Sequence, residues 1–312
     1  MIEIIKCMPG CTVQDAGRFG YRRLGVGSAG AMDGLALATG NILLGNDAHA
    51  AALEIIFFPL EIRFQEDCAF SFTGAGQAVL DGQALPGWWK GTARRGQLLR
   101  LESLGSGGIG YLCLAGGVAV ETVLESASTD LKGVFGGVQG RMLKLGDVLA
   151  VHPRTVTVDA GDFGAVPYEN GQGALRVLPG FEFAALPEAM QAQVFSSDWQ
   201  ISRQSNRIGF LLEGPRMKFD VPVELLSYGV LPGLIQLPPS GQPVVMLADA
   251  QTCGGYPRLG TLIDSDLRRL AQSAPGSSIQ LRICTLEEAA EAEASERQYL
   301  ARLSRMREVV CP

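Results

Sequence analysis

A short motif that joins a glycine to an alternating apolar pattern recurs along the chain. It reads Gly-x-x-apolar-x-apolar and begins at Gly96, Gly146 and Gly276. In each copy a glycine turn leads into a segment whose side chains alternate between two faces, as in the strands of a barrel rim. The chain has 40 glycines in 312 residues, and its 19% of charged residues is below the usual share of about a quarter. Frequent turns between short apolar runs predict a mainly β fold whose two halves are built alike.

Apolar runs and helix-end signals give the further elements. Strands are predicted at 62–65, 69–73, 111–115, 155–158, 175–178 and 244–248. Four helices are predicted from their caps: 34–44 behind Asp33, a short one from Pro187 to about Val194, one capped by Ser265 or Asp266 and ended by Pro275, and a C-terminal one from the capping box at 285–288 to about Arg307.

The stretch 159–173 is rich in glycine, contains Pro167 and lacks any apolar periodicity. Such stretches are typical of the segment between two domains, and a chain of this length suits two domains better than one. We therefore predict an N-terminal domain at 1–165 and a C-terminal domain with a terminal helix at 166–312.

Charge and motif content argue against several classes of function. The net charge is −6 without a Lys/Arg cluster, which gives nucleic-acid binding no electrostatic support. We expect no signal peptide, because the first residues form neither a basic segment nor a long apolar one. We expect no membrane span, because the uncharged stretch 103–120 is interrupted by glycines. The seven cysteines lack paired CxxC spacing, as is typical of free thiols in the cytoplasm. His49 and His152 stand alone, so we predict no metal site.

Nucleotide and biotin chemistry have only weak support in the sequence itself. No phosphate-binding P-loop pattern is present, so the chain does not resemble an independent ATPase. The Met-Lys pair at 217–218 lacks the small swinging domain that a covalently biotinylated lysine needs. We therefore expect no covalently bound cofactor.

Polar residues concentrate in three glycine-flanked loops. The first holds Asp15 and Arg18, and the second holds Arg207. The third and densest, 238–258, brackets the apolar run 244–248 with the following set: Gln242, Asp249, Gln251, Tyr256 and Arg258. Amides, a phenol and a guanidinium at the ends of a buried strand suit the binding of a small amide or carboxylate. The same side chains can instead satisfy backbone groups in tight turns, and the residues alone leave both interpretations open.

Ordered blocks over nearly the whole chain carry a family resemblance. They are Thr12–Asp15 with Gly17–Arg18, Gly30–Asp33, Gly45–Asn46, Ala52–Glu54, Phe72–Ala75, Phe135–Gly137, Ser205–Arg207, Leu212–Pro215, Pro238–Pro239 with Gly241–Pro243, and Asp249, Gln251–Thr252 with Gly254–Pro257. Together they resemble the family variously called the C subunit of 5-oxoprolinase, allophanate hydrolase subunit 2, KipA or biotin-dependent carboxyltransferase. The chain departs from the family pattern at Ala16, Phe19, Cys253 and Asp264.

The resemblance implies a fold of two cyclophilin-like β-barrel domains and a function inside a complex. The implied partners are a B-type (KipI-like) subunit and an A subunit, and the implied reaction is ATP-dependent opening of 5-oxo-L-proline to L-glutamate. ATP would act through the complex, and the chain would be inactive alone.

Roles in this reaction follow from residue type. Asp15, Arg18 and Asp249 are catalytic candidates for proton handling and charge stabilisation, and Asp15 and Arg18 are expected to lie unburied in their loop. Substrate-binding candidates are Arg207, Gln242, Gln251, Tyr256 and Arg258.

Two alternative functions stay open from the sequence. The chain could be the carboxyltransferase component of a biotin-dependent urea or amide carboxylase, which would require biotin carboxylase and biotin carrier chains encoded nearby. It could also be a non-enzymatic KipA-type regulator that binds a KipI-like partner and withholds it from a histidine kinase.

Overall fold

The computed structural model describes residues 1–105, 108–153, 163–168, 173–217 and 225–310. Its helices are α1 (Gly34–Leu44), α2 (Glu188–Ser196), α3 (Asp264–Ala271) and α4 (Leu286–Val310), with short 3₁₀ helices at Arg22–Leu24 and Phe183–Ala185. No helix in this part of the chain is long and apolar enough to cross a bilayer. By its contacts the chain divides into two compact units, Met1–Arg18 with Ala29–Tyr168 and Glu296–Pro312, and Phe19–Ser28 with Glu169–Ser295.

The first unit consists of two antiparallel sheets and a buried helix. Its strands are β1 (Ile2–Cys7), β2 (Cys11–Gln14), β3 (Ala52–Ile55), β4 (Leu60–Phe64), β5 (Cys68–Gly74), β6 (Gln77–Leu80), β7 (Gln83–Ala84), β8 (Trp89–Ala93), β9 (Leu98–Glu102), β10 (Gly110–Leu114), β11 (Val118–Ala119), β12 (Val148–Val151) and β13 (Phe163–Gly164). They form the orders β11-β12-β1-β4-β9-β6-β7 and β13-β8-β5-β10-β3-β2. Both sheets contribute to one apolar core that includes Ile62, Phe70, Leu99 and Leu112.

Helix α1 packs against the sheet of β5 and β10, and its sequence explains both its start and its burial. Asp33 caps it by accepting a hydrogen bond from the backbone N–H of Ala36 at 3.0 Å. Ser71 and Thr73 of β5 donate to the carbonyls of Gly40 and Ala36, each at 2.7 Å. All residues from Leu35 to Leu44 are buried, which is why this helix lacks a polar face.

The second unit is built on a sheet that nearly closes into a barrel. Its strands are β14 (Leu175–Pro179), β15 (Trp199–Ile201), β16 (Gly209–Glu213), β17 (Tyr228–Gly229), β18 (Leu234–Gln236), β19 (Val244–Met246), β20 (Cys253–Gly254), β21 (Arg258–Leu262), β22 (Ser278–Ile279) and β23 (Leu281–Ile283). The eight-stranded order is β22-β15-β16-β19-β18-β21-β14-β23. Its two ends are neighbours in sequence, separated by Gln280, so the sheet curls until its edges almost meet. Strands β17 and β20 form a separate two-stranded ribbon.

The mainly β fold class with a C-terminal helix is confirmed. The predicted helices at 34–44 and 187–194 and the C-terminal one are present, and Thr285 Oγ accepts from the N–H of Glu288 at 3.2 Å as the capping box requires. The predicted strand 155–158 and most of the predicted linker 159–173 lie outside the described residues. The division into domains at 165/166 stays a prediction.

Two local predictions were wrong in detail. Helix α3 begins at Asp264 with Ile263 at its N-cap, because the Asp266 carboxylate binds Arg176 and Arg269 instead of capping. The glycine motif at Gly276 forms two short strands instead of one, since β22 pairs with β15 and β23 pairs with β14.

Two glycines of the first unit, Gly74 at the end of β5 and Gly82 in the turn between β6 and β7, provide a matched test of this packing. Gly74 and Gly82 both have positive φ, +78° and +86°. A Cβ on Gly74 would lie 2.2 Å from the carbonyl oxygen of Ile109, whereas a Cβ on Gly82 would meet nothing within 4 Å. Gly82→Ala should therefore lower the free energy of unfolding by about 1 kcal/mol, and Gly74→Ala by roughly 3 kcal/mol, because it adds a backbone clash to the strain. Urea unfolding followed by circular dichroism measures both, and equal losses would contradict the assigned packing.

Candidate functional site

The ribbon of β17 and β20 brings polar groups of the second unit to strand β18. Gln236 is buried on β18, and its Nε2 donates to the phenol oxygen of Tyr228 at 2.8 Å. The Tyr228 hydroxyl in turn donates to the carbonyl oxygen of Tyr256. Burial raises the pKa of Tyr228, so its phenol stays protonated and can act as this donor.

The Gln251 side chain extends the same network. Its Nε2 lies 3.5 Å from Oε1 of Gln236, so the buried amide accepts from Gln251 and donates to Tyr228. Gly254 makes this close arrangement possible, since a Cβ there would lie 2.6 Å from Nε2 of Gln236. The sequence predicts that this glycine permits close approach of a ligand, whereas in the structure the group that approaches is a side chain of the protein.

The Arg258 guanidinium lies over the ring of Tyr228, 4.4 Å from its centroid. Its Nε donates to Oε2 of Glu182 at 2.7 Å, and its Nη2 donates to Oε1 of the same carboxylate. The hydrogen bond from Arg258 holds the pKa of Glu182 below its usual value, and the same bond raises the pKa of Arg258. Nη1 of Arg258 makes no hydrogen bond to a residue that the structure describes.

Arg22 ties this cluster to the 3₁₀ helix near the start of the chain. Its Nε donates to the carbonyl oxygen of Val230 at 3.1 Å, and its Nη2 donates to that of Gln251 at 2.8 Å. Burial lowers the pKa of Arg22. We call the group formed by Arg22, Glu182, Tyr228, Gln236, Gln251 and Arg258 the Gln236 cluster.

Sequence reasoning did not single out Arg22, Glu182, Tyr228 or Gln236. The sequence does contain one indication of the role of Gln236, because this polar residue lies inside the apolar run 234–237, which forms a buried strand. The sequence contains no such indication for Arg22 or Glu182, because the residues that they contact, Val230 and Arg258, are distant in the chain.

Arg207 and Asp249 form a second pair in the same unit. Nε and Nη2 of Arg207 bind the two carboxylate oxygens of Asp249 at 2.9 and 2.8 Å, and the N–H of Asp249 donates to the carbonyl of Arg207 at 2.9 Å. Both side chains are nearly buried, at 6% and 12% exposed. Because both oxygens of Asp249 are bound by Arg207, proton handling by Asp249 would require this pair to open.

Because they bracket one buried run, the side chains of Gln242, Gln251, Tyr256 and Arg258 are predicted from the sequence to converge on one cleft. This prediction was wrong for Gln242. Its Oε1 accepts from the N–H of Gly214 at 2.9 Å and its Nε2 donates to the carbonyl of the same residue at 3.0 Å. A side-chain amide that satisfies both backbone groups of one residue fixes a turn. Tyr256 lies beside the cluster through its carbonyl, with its side chain 45% exposed.

Asp15 and Arg18 lie in the first unit, where both hold the segment 123–136. Asp15 accepts hydrogen bonds from Gly17, Ser126, Ala127 and Ser128. Nη2 of Arg18 donates to the carbonyl of Ser128 at 2.6 Å, and its guanidinium lies 4.8 Å from the ring centroid of Phe135. We expected both residues to be unburied. This was wrong for Arg18, whose side chain is only 1% exposed because it binds the segment 123–136, which packs over it.

The described residues contain no cluster suited to a metal ion, and the surface depression in the second unit is lined by residues other than those predicted for the site. No cluster of three or more His, Cys, Asp or Glu side chains suited to a metal ion occurs among the described residues. A surface depression of about 410 Å³ lies in the second unit, and none of the predicted site residues lines it; its walls include Asp198, Arg269 and Gln280.

Comparison with known proteins identifies the family of this chain. The family model described as carboxyltransferase domain, subdomain A and B, matches residues 24–283. The chain belongs to this family. It is also 42% identical to the C subunit of 5-oxoprolinase from Escherichia coli (strain K12), with 97% of this chain and 98% of the relative covered. The Haemophilus influenzae protein of the same name is 37% identical, with 98% of both chains covered.

A solved structure extends the comparison to a larger enzyme. Urea carboxylase of Kluyveromyces lactis superposes with a TM-score of 0.89 at 26% identity, over 97% of this chain and 29% of that chain. The family match spans the loops at 205–209 and 238–258 and every residue of the Gln236 cluster except Arg22. The fold is therefore shared with a urea carboxylase, and these loops lie within the region that matches the carboxyltransferase-domain family model.

The Glu182–Arg258 ion pair predicts a pH dependence of stability. Because the folded state lowers the pKa of Glu182, the pair stabilises the fold above the unfolded value of about 4.3 and loses that effect as pH falls through the lower folded value. Glu182→Gln should therefore be less stable than wild type at pH 7, and the difference should shrink towards pH 3. Urea unfolding at both pH values measures it. Glu213→Gln, at an exposed carboxylate, serves as the control with no such trend.

Proposed function

We propose that this chain is the C subunit of an ATP-dependent 5-oxoprolinase, which opens 5-oxo-L-proline to L-glutamate together with A and B subunits. The observation that carries the proposal is the identity of 42% and 37%, over nearly the full lengths, to two proteins named as the C subunit of 5-oxoprolinase. The B-type subunit is the proposed direct partner, and ATP acts through the complex, because this sequence has no P-loop pattern.

The reaction needs groups that recognise a lactam and its carboxylate. Hydrolysis breaks the ring C–N bond, adds the water oxygen to the carbonyl carbon and leaves a proton on the nitrogen. ATP supplies the activation that an unreactive amide carbonyl requires. A lactam presents one N–H donor and one C=O acceptor in a fixed plane, and a side-chain amide is complementary to that pair.

The Gln236 cluster supplies complementary groups. Gln251 has an amide whose contact to Gln236 is long, at 3.5 Å, so a ligand can replace it at low cost. Nη1 of Arg258 is available for the substrate carboxylate, while Glu182 and the Tyr228 ring hold the guanidinium in place. We assign substrate contact to Gln251, Tyr256 and Arg258, and positioning to Glu182, Tyr228 and Gln236.

The remaining predicted residues receive other roles in this proposal. Arg207 and Asp249 act as a neutral pair that joins the start of β16 to the loop after β19. Asp15 and Arg18 hold the 123–136 segment of the first unit. Gln242 fixes the turn at Gly214. Their catalytic and substrate-binding roles stay predictions that the reconstituted enzyme can test.

A carboxyltransferase function is the second candidate. The likeness to Kluyveromyces lactis urea carboxylase and the description of the family model favour it. Urea also presents N–H donors and a C=O acceptor in one plane, so the same amide of Gln251 would serve. In that case carboxybiotin on a carrier chain would be the co-substrate.

Reconstitution separates the two functions. The purified chain alone should hydrolyse neither ATP nor 5-oxoproline above background, and addition of the A and B subunits should give glutamate with one ATP consumed for each ring opened. The parallel assay supplies urea, ATP, biotin carboxylase and a biotinylated carrier. Turnover of urea without turnover of 5-oxoproline would select the carboxyltransferase, and turnover by the single chain would contradict the need for partners.

Gln251 and Gln242 provide a matched pair of substitutions in the assembled enzyme. Gln251→Leu removes an amide from the proposed substrate contact and should cost about 1–3 kcal/mol, or roughly ten- to hundredfold in kcat/KM, with little change in thermal stability. Gln242→Leu removes an amide that binds only backbone, so it should lower the melting temperature and leave kcat/KM of the folded enzyme nearly unchanged. The opposite pattern would place the substrate elsewhere.

A further inference from the structure

The turn between β1 and β2 has a cysteine at each end. Cys7 is the last residue of β1 and Cys11 is the first residue of β2, so only three residues separate them. Gly10 closes this turn with a φ of +94°, and a Cβ there would lie 3.0 Å from the ring of Phe57. Because β1 pairs with β4 and β2 pairs with β3, the turn leads from one sheet of the first unit to the other. We call Cys7 and Cys11 the turn cysteines.

The turn cysteines lie side by side but differ in their access to water. Cys7 is half-buried and packs against the apolar core to which the fully buried Cys11 belongs. The thiol of Cys7 donates to the carbonyl oxygen of Met8 at 3.2 Å, and its sulfur is within reach of a hydrogen bond from the Cys11 thiol. Met8 and Pro9, which follow Cys7, are exposed. A small molecule in solution can therefore reach Cys7, whereas the core shields Cys11.

The contact between the turn cysteines makes one thiol reactive and the other inert. The hydrogen bond from Cys11 lowers the pKa of Cys7, because it stabilises the thiolate, while burial and the charge of Asp147 act in the opposite direction with smaller effect. The same contact, together with burial, raises the pKa of Cys11 well above its ordinary value. Since the thiolate is the nucleophilic form, Cys7 is the member of the pair that attacks an external electrophile.

We propose that Cys7 is a site of reversible oxidation by peroxides, and that Cys11 converts the oxidised Cys7 into a disulfide. The Cys7 thiolate attacks one peroxide oxygen, so that an S–O bond forms, the O–O bond breaks, and the leaving hydroxide takes up the proton that the thiol released. The Cys11 sulfur then attacks the sulfenic sulfur of Cys7, so that the S–S bond forms, the S–O bond breaks, and the leaving hydroxide takes the thiol proton of Cys11. Two thiols and one hydrogen peroxide thus give one disulfide and two waters.

The other cysteines that the structure describes lack this combination of access and a neighbouring thiol. Cys68, Cys113 and Cys284 are buried, and burial raises the pKa of Cys113 to about 12. Cys253 is exposed, but it makes no hydrogen bond to another cysteine among the described residues. The turn cysteines close only a short loop, so their disulfide constrains the unfolded chain little. The expected consequence is therefore chemical, because capture by its neighbour stops the oxidation of Cys7 before the irreversible sulfinic acid.

Mass spectrometry of the full chain after peroxide treatment tests this proposal, which does not depend on the proposed function. Trypsin cleaves after Lys6 and Arg18, so one peptide, 7–18, contains both turn cysteines and no other cysteine. The reduced chain is treated with an equimolar amount of hydrogen peroxide, alkylated with N-ethylmaleimide and digested. We expect this peptide to lose two hydrogen atoms, to escape alkylation and to recover both thiols with dithiothreitol. Its conversion should be at least tenfold faster than the oxidation of Cys253.

Single substitutions separate the roles of the turn cysteines. In Cys11→Ala, Cys7 should stop at the sulfenic acid, which dimedone traps, and an excess of peroxide should carry it on to the sulfinic acid. In Cys7→Ala, Cys11 should stay reduced under the same treatment. Cys113→Ala is the matched control, because it removes a buried thiol that has no cysteine neighbour among the described residues, and it should leave formation of the disulfide unchanged. Circular dichroism verifies the fold of each variant.

Three results with the wild-type chain would overturn the proposal, whatever the variants do. The first is a peptide 7–18 that is still fully alkylated once Cys253 has been oxidised. The second is a Cys7 that carries oxygen while Cys11 stays reduced. The third is a disulfide that joins Cys7 to a second chain or to Cys311, which lies outside the described residues.

Discussion

Closure of the eight-stranded sheet is the constraint on which the second unit depends. The segment 278–283 pairs first with β15 and then with β14, so one stretch of chain joins the two edges of the sheet. Closure holds β18 and β21 side by side in the interior of the sheet. It therefore fixes where the buried Gln236 and the adjoining Arg258 can place their polar groups. The loops that carry Tyr228 and Gln251 are then held by hydrogen bonds to Gln236 and by Arg22.

Much of this fold could be predicted from the sequence because its signals are local. The cap at Asp33, the proline before α2 and the capping box at Thr285 each act within one turn of helix, and all three helices are found. Glycine turns followed by alternating residues likewise gave β9 and β12. Predictions were wrong where a residue binds a partner that is distant in the sequence. Asp266 binds Arg176 instead of capping α3. The segment after Gly276 forms two strands instead of one, because it pairs with two different neighbours.

The site could be predicted only in part for the same reason. Residue type and loop position gave Gln251 and Arg258, which belong to the Gln236 cluster, and Tyr256, of which only the backbone carbonyl contacts the cluster. The same criteria predicted Gln242 as a substrate-binding residue, yet its side-chain amide binds the backbone of Gly214. Arg18 also satisfied every local criterion for an exposed loop residue, but it is buried under the segment 123–136. A sequence shows which side chains could bind a ligand, whereas the alternative partners that occupy them become visible only in the folded chain.

We propose that substrate binds at the Gln236 cluster while this chain is part of a complex. Hydrogen–deuterium exchange on the reconstituted A, B and C subunits, with and without 5-oxoproline, tests this most directly, because partner binding is the same in both samples. We expect slower exchange with substrate in peptides covering 225–236 and 250–258. Slower exchange confined to other parts of this chain, such as the loop at 13–18 or the walls of the surface depression, would contradict it.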